Sequence, residues 1–296
     1  MQIKFLSRLK AFVVLSAKKI RLPGFEGLPL YDVATFFFKG IYNGSITTRA
    51  SSLAFNFFLA IFPSIIFLFT LIPYVPIANF QDTLFELLRE VLPKAAFEAS
   101  EETITDIVKN QHGGLLSIGF LSALFFSTNG VNSMIDGFNN SYHLVETRPL
   151  LKQRLVALKL VLITTLLLLV SIVVIIYTEY ILSKLPLGVH SYYPIQIGRL
   201  LIVSALFFTI ISFYYYLGPV KKPGWKFISA GSTMATVLTL LTSLGFAFYV
   251  NHFGNYNKLY GSIGTLIIVL LWIYFNSIVL LLGFELNVSI HSVRKA

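Results

Sequence analysis

The 296 residues include no cysteine, which excludes disulfides, thiol nucleophiles and thiolate metal sites. Charge is scarce too. Asp, Glu, Lys and Arg make up 12% of the chain, against about 25% in a soluble domain. Hydrophobic residues make up 56% and mean hydropathy is +0.77. A soluble fold could not hide that much apolar surface, so the composition points to a polytopic membrane protein. The signatures of soluble enzymes are also missing. There is no GxxxxGK[ST] loop for a nucleotide phosphate and no HExxH pair for zinc. The five histidines (His112, His143, His190, His252 and His291) are dispersed, and none pairs with another at ligand spacing. Metal sites need clustered ligands, so neither a metal nor another cofactor is expected, and no catalytic residue is proposed. Phe12–Leu15 is too short for a signal peptide, and Lys18, Lys19 and Arg21 follow it without a small-residue cleavage site.

What the chain does have is long uncharged runs. The most informative is Tyr260–Asn287, which carries no charge between Lys258 and Glu285. A helix needs about 20 apolar residues to cross a bilayer. Six runs meet that need, at about 50–75, 113–135, 160–177, 200–217, 227–250 and 261–284. The expected fold is therefore all-α, a six-span membrane domain over 50–290. Pro63 falls in the middle of the first run and is expected to kink it, because proline removes a backbone donor. Two stretches read as amphipathic rather than spanning. Residues 1–49 are basic, with Leu6, Leu9, Phe12, Val13 and Ala17 at helical spacing. They suit a cytoplasmic arm lying on the anionic headgroups of the inner leaflet. Residues 76–112 carry Glu86, Glu90, Glu98, Glu101 and Glu102, with Phe80, Leu84, Leu87, Leu88 and Val91 on one face.

Charge placement sets the expected topology. With the N-terminus inside, residues 1–49, 136–159, 218–226 and the tail hold 17 of the 23 Lys and Arg. The other six are Arg89, Lys94, Lys109, Lys184, Arg199 and Lys258. This follows the positive-inside rule, so both ends are expected in the cytoplasm, with 291–296 a short tail and 76–112 on the far side. It also accounts for the net charge of +10 without a nucleic-acid partner. Tyr177, Tyr180, Tyr192, Tyr193, Trp225 and Tyr256 lie near the expected interfaces, as belt aromatics should.

Two groups of polar residues stand out inside the spans. Asn129, Asn132, Ser133, Asp136, Asn139 and Asn140 recur three and four apart and share one helix face. That face can line a cytoplasm-facing cavity, or it can bond to neighbouring helices as the helix leaves the membrane. Glu285 closes the last span while Arg49 opens the first, at equal depth. The two can form a structural ion pair, or Glu285 can meet water at the rim. The fifth span carries Gly231, Ser232, Ala235, Thr236, Thr239 and Ser243, small residues that let helices approach closely.

Three stretches together resemble one family. They are Ser52–Pro63 (SLAFNFFLAIFP); then Asn139-Asn140-Ser141-Tyr142 with Glu146-Thr147-Arg148-Pro149; then Tyr260-Gly261-Ser262-Ile263-Gly264 through Gly283-Phe284-Glu285-Leu286-Asn287. Their order and the six-span layout are similar to the YihY/BrkB family of bacterial inner-membrane proteins, over about residues 30–290. Phe55-Asn56 stands where the family often has two tyrosines, and Asn140-Ser141 where many members have Arg-Ala. The resemblance implies the bacterial cytoplasmic membrane and a role in envelope composition. It also brings the label ribonuclease BN-like, which the missing His and Asp clusters oppose, since metal-dependent RNA hydrolysis needs them. The expected function is a transporter or flippase-like protein for a lipid or amphiphile, with Asn129, Asn132, Asp136, Asn140 and Glu285 along the path. The alternative is a non-transporting scaffold for envelope enzymes. Membrane lipids are the expected partners, with anionic inner-leaflet headgroups at the N-terminal arm and no nucleic acid.

Overall fold

The computed structural model describes residues 15–16, 18–21, 24–43, 45–74, 102, 105–107, 109–141, 148–184, 192–220, 226–252 and 262–295. The apolar-basic repeat at 4–14 and most of the acidic amphipathic stretch, 75–101, lie outside the described residues. Seven α-helices occur among the described residues. They are α1 Leu30–Asn43, α2 Ile46–Leu71, α3 Gly113–Ser141, α4 Leu150–Lys184, α5 Tyr192–Leu217, α6 Ala230–His252 and α7 Ser262–Lys295. A 3-10 turn, Ile72–Tyr74, ends α2. Every helix except α1 contains a stretch long and apolar enough to cross a membrane. The six stretches run 21 to 29 residues, or roughly 31 to 43 Å at 1.5 Å per residue, against a hydrocarbon core of about 30 Å. The protein is an all-α, multi-pass membrane protein.

The helices outrun several of the expected spans. The first begins at Ile46, so Arg49 lies inside α2 rather than ahead of it. The helix of the second runs on to Ser141, as is expected of a helix that continues beyond its span. The third begins at Leu150 rather than Leu160, which puts Lys152, Arg154 and Lys159 in helix rather than in a connection. The last runs to Lys295, so His291 and Arg294 are carried on α7. No proline or glycine interrupts 150–184 or 284–295. A helix that leaves the hydrocarbon has no reason to stop there, and long cationic side chains reach water from its last turns. Pro63 sits inside the continuous helix α2.

The chain packs as two compact units. One consists of residues 56–130, a helical hairpin made by the later part of α2 and the earlier part of α3. The hairpin is antiparallel. Gly119 lies against the Phe67 backbone, Gly130 against the Phe57 ring, and Gly113 beside the Tyr74 hydroxyl. The rings of Phe67 and Phe120 stand 5.4 Å apart. The other unit holds residues 1–55 and 131–296. Its centre is α7, which packs against α6 and α1, while α5 packs against α4 and α6. Its core includes Val33, Leu53, Met134, Ile135, Phe138, Leu160, Leu281 and Phe284, all nearly inaccessible.

Candidate functional site

Five consecutive residues of α7, Gly283 to Asn287, meet four different surroundings, the first and last both facing Gly231 of α6. An α-helix turns about 100° per residue, so such a run sweeps the whole circumference. Gly283 lies at the crossing with α6: a Cβ there would strike the Tyr215 hydroxyl, Ala235 and the Gly231 carbonyl. Gly231 returns the contact, since a Cβ on it would overlap the Gly283 carbonyl and the Asn287 amide. Phe284 stacks on Phe138 of α3 with centroids 4.2 Å apart, and Tyr215 of α5 meets both rings edge-on at 5.4 and 5.5 Å. The Tyr215 hydroxyl donates to the Leu280 carbonyl at 2.6 Å. Leu286 enters an apolar cluster with Phe25, Val33 and Ile290.

Asn287 fastens the start of α6. Its Oδ1 accepts the Gly231 N–H at 2.8 Å, and its Nδ2 donates to Ser229 Oγ at 2.9 Å. Ser229 and Ser232 also cap that helix reciprocally. The Ser232 N–H donates to Ser229 Oγ and the Ser229 N–H to Ser232 Oγ, each at 3.1 Å. The first N–H groups of a helix have no partner within it, and here side chains from two helices supply one.

Glu285 points the other way, and the structure brings it to Arg49. Arg49 Nη2 stands 3.8 Å from Glu285 Oε2, with 8% and 5% of the two side chains exposed. Arg49 Nη1 donates to the Gly137 carbonyl at 2.8 Å and to Ser141 Oγ at 2.7 Å. On the far side, a Cβ on Gly40 of α1 would overlap the Glu285 carboxylate. One buried pair thus ties α1, α2, α3 and α7 together. At 3.8 Å the pair is held by charge more than by a short hydrogen bond, and Arg49 gets its close contacts from α3.

The polar face of α3 is divided. Asp136 and Asn140 are exposed, and Asn132 is partly buried. Gln153 of α4 reaches Asp136 Oδ1 at 3.4 Å. The Asn132 Oδ1 atom is buried without a hydrogen-bond partner. Asn139 is buried, and its Oδ1 accepts the Val220 N–H at 3.1 Å. Arg148 donates to the Gly218 carbonyl at 3.0 Å, so the turn after α5 is clamped by two polar side chains. Asn129, partly buried, lies in the 56–130 hairpin. Asn132, Asp136, Asn140 and Glu285 lie in the other unit, where Glu285 is enclosed and Asp136 and Asn140 are open.

Three anchoring residues were not singled out from the sequence: Gly40, Gly137 and Tyr215. A glycine inside a helical pattern signals close approach, so Gly40 and Gly137 carried a readable hint. Tyr215 sits in a row of three tyrosines, Tyr214–Tyr216, and only packing selects which one bonds to α7. Among the described residues, no three His, Asp or Glu side chains gather closely enough to hold a metal ion.

The family model for virulence factor BrkB matches residues 37–296. YfkH of Bacillus subtilis, named a ribonuclease-like protein, is 31% identical over 258 residues, which cover 84% of this chain and 91% of that one. A UPF0761 membrane protein of Aggregatibacter aphrophilus is 26% identical over 266 residues, covering 88% and 92%. Another, from Alteromonas mediterranea, is 25% identical over 268 residues, covering 88% of each. No solved structure matches. The match covers the seven helices except the first turns of α1, and it includes the Gly283–Asn287 run: the chain belongs to the virulence factor BrkB family.

Proposed function

We propose that this protein moves a lipid or other amphiphile across a bacterial cytoplasmic membrane, without catalysing a reaction on it. The observation that carries this reading is the open polar face of α3. Asp136 and Asn140 are exposed on a spanning helix, and the buried Asn132 oxygen one turn deeper has no hydrogen-bond partner. A carboxylate on such a helix must meet water, a partner or headgroups. Asn132, Asp136 and Asn140 would offer a headgroup successive polar contacts while its tails stay in lipid. Glu285 is too enclosed for that work, so its part in the proposal is to hold the bundle together with Arg49. The label ribonuclease-like belongs to the Bacillus relative and is not carried over.

The reading also takes both ends as cytoplasmic and the basic N-terminal arm as bound to anionic headgroups. Because the chain has no cysteine, single cysteines at positions 3 and 296 can be probed with an impermeant thiol reagent in intact cells and in lysed ones. Labelling only after lysis is expected at both. The transport test is movement of headgroup-labelled lipid in proteoliposomes. Wild type is expected to translocate it and Asp136→Asn to lose most of the rate. If no lipid class moves, with or without an ion gradient, the transport reading falls and a scaffold role takes its place.

A further inference from the structure

The segment ahead of α1 turns sharply at Gly24–Gly27. Gly24, Glu26 and Gly27 all adopt left-handed backbone angles, with φ of 86°, 52° and 80°. That is uncommon for a glutamate, and the surroundings impose it. Phe25 is buried among Val33, Leu286 and Ile290, and a Cβ on Gly24 would press on Ala230. The turn sets the Glu26 carboxylate between two cations. Arg294 Nη1 donates to Oε2 at 3.1 Å, and Lys226 Nζ stands 3.9 Å from Oε1. With Leu28 these three side chains line a cleft of about 440 Å³. The cleft lies at the ends of two spanning helices, because Lys226 precedes α6 by one turn and Arg294 stands in the last turn of α7.

We propose that this cleft binds the headgroup of a zwitterionic aminophospholipid, with the phosphate on Lys226 and Arg294 and the primary ammonium on Glu26. The charge set selects this class. A plain anionic headgroup would meet the Glu26 carboxylate, and a plain cation would meet two positive side chains. A phosphate joined to an ammonium by a short linker pairs with all three at once. Lys226 lies beyond hydrogen-bond distance of Glu26 and is largely exposed, so turning its ammonium to a phosphate breaks no close bond. A primary ammonium donates N–H bonds to a carboxylate, whereas a trimethylammonium has none to donate. Leu28 supplies the apolar wall for the linker. The site is distinct from the α3 face and does not require that the protein move lipid.

The test is native mass spectrometry of the full-length protein with phosphatidylethanolamine, phosphatidylglycerol and phosphatidylcholine of matched acyl chains. Wild type is expected to retain phosphatidylethanolamine roughly tenfold over either other lipid, the effect of one additional charge-assisted hydrogen bond. Glu26→Gln is expected to abolish that preference and raise phosphatidylglycerol, while Arg294→Gln lowers both. Lys226→Gln, at an exposed position with little fold to disturb, is expected to lower both to a smaller extent. Equal retention of phosphatidylglycerol and phosphatidylethanolamine by wild type would overturn the proposal. So would an unchanged lipid ratio in Glu26→Gln, or release of the bound lipid by inorganic phosphate as readily as by glycerophosphoethanolamine.

Discussion

Two helix seams in this chain are built on glycine, and they are held in different ways. In the 56–130 hairpin, Gly119 and Gly130 bring α2 and α3 together over phenylalanine rings and backbone. In the other unit, Gly231 and Gly283 bring α6 and α7 to backbone contact, and polar groups then lock the crossing. Asn287 bonds Gly231 and Ser229, and Tyr215 bonds the Leu280 carbonyl. Lipid tails are as apolar as leucine, so burying apolar side chains does little to drive helices together in a bilayer. Close packing and hydrogen bonds do that work. At Gly119 and Gly130 the hairpin is in packing contact, and the α6–α7 seam adds hydrogen bonds from Asn287 and Tyr215 to its packing. The second arrangement tolerates less change, because a hydrogen bond has a direction and a ring can shift.

Breaking the polar lock should cost most. Glu285→Ala strands the buried Arg49 guanidinium, and removing one partner of a buried pair typically costs about 3–5 kcal/mol. A steep fall in thermal midpoint is expected, and Arg49→Met combined with Glu285→Ala should recover a large part of it. No recovery in the double variant would mean that the two residues act separately. Gly283→Val comes next. Its side chain must enter space held by the Gly231 carbonyl and Ala235, where nothing can turn aside, so about 3 kcal/mol of overpacking is expected. Size-exclusion profiles of heated samples would show early loss of the monodisperse peak. Asn287→Ala removes two hydrogen bonds at the start of α6 and should cost about 1–2 kcal/mol, with Asn287→Asp an intermediate case because it keeps only the acceptor. The hairpin should respond least. A Cβ on Gly130 meets the Phe57 ring at 3.0 Å, and one on Gly119 meets Phe67 backbone at 3.2 Å. Gly130→Ala is therefore expected to cost under about 1 kcal/mol, read as a small fall in thermal midpoint, since a ring can rotate, and Gly119→Ala somewhat more. If Gly130→Ala proved as damaging as Gly283→Val, the distinction between the two seams would collapse.

The membrane-spanning character of the chain was legible in the sequence, since length and hydropathy alone separate a span from a loop. Helix ends were less legible. Lys152 and Arg154 look like a connection in one dimension, yet nothing in 150–159 breaks a helix, and α4 keeps them. Neither was the division of the α3 stripe. Spacing puts Asn132, Asp136, Asn139 and Asn140 near one face, but about 60° to 100° of rotation separates the covered Asn139 from the open Asp136 and Asn140. Asn139 is turned to the Val220 amide while Asp136 and Asn140 stay open.

By itself the sequence determined that this chain is an all-α membrane protein. It also placed Arg49 and Glu285 at equal depth, because both facts follow from where charge is missing along a helix. Only the tertiary structure decided which groups meet. It set Glu285 between Gly40 and Arg49, and it gave Arg49 its close bonds to Gly137 and Ser141. It also brought Glu26 to Arg294, 268 positions away. Depth is set residue by residue at 1.5 Å per step, but contact depends on the rotation and neighbours of each helix, which no single stretch of sequence carries.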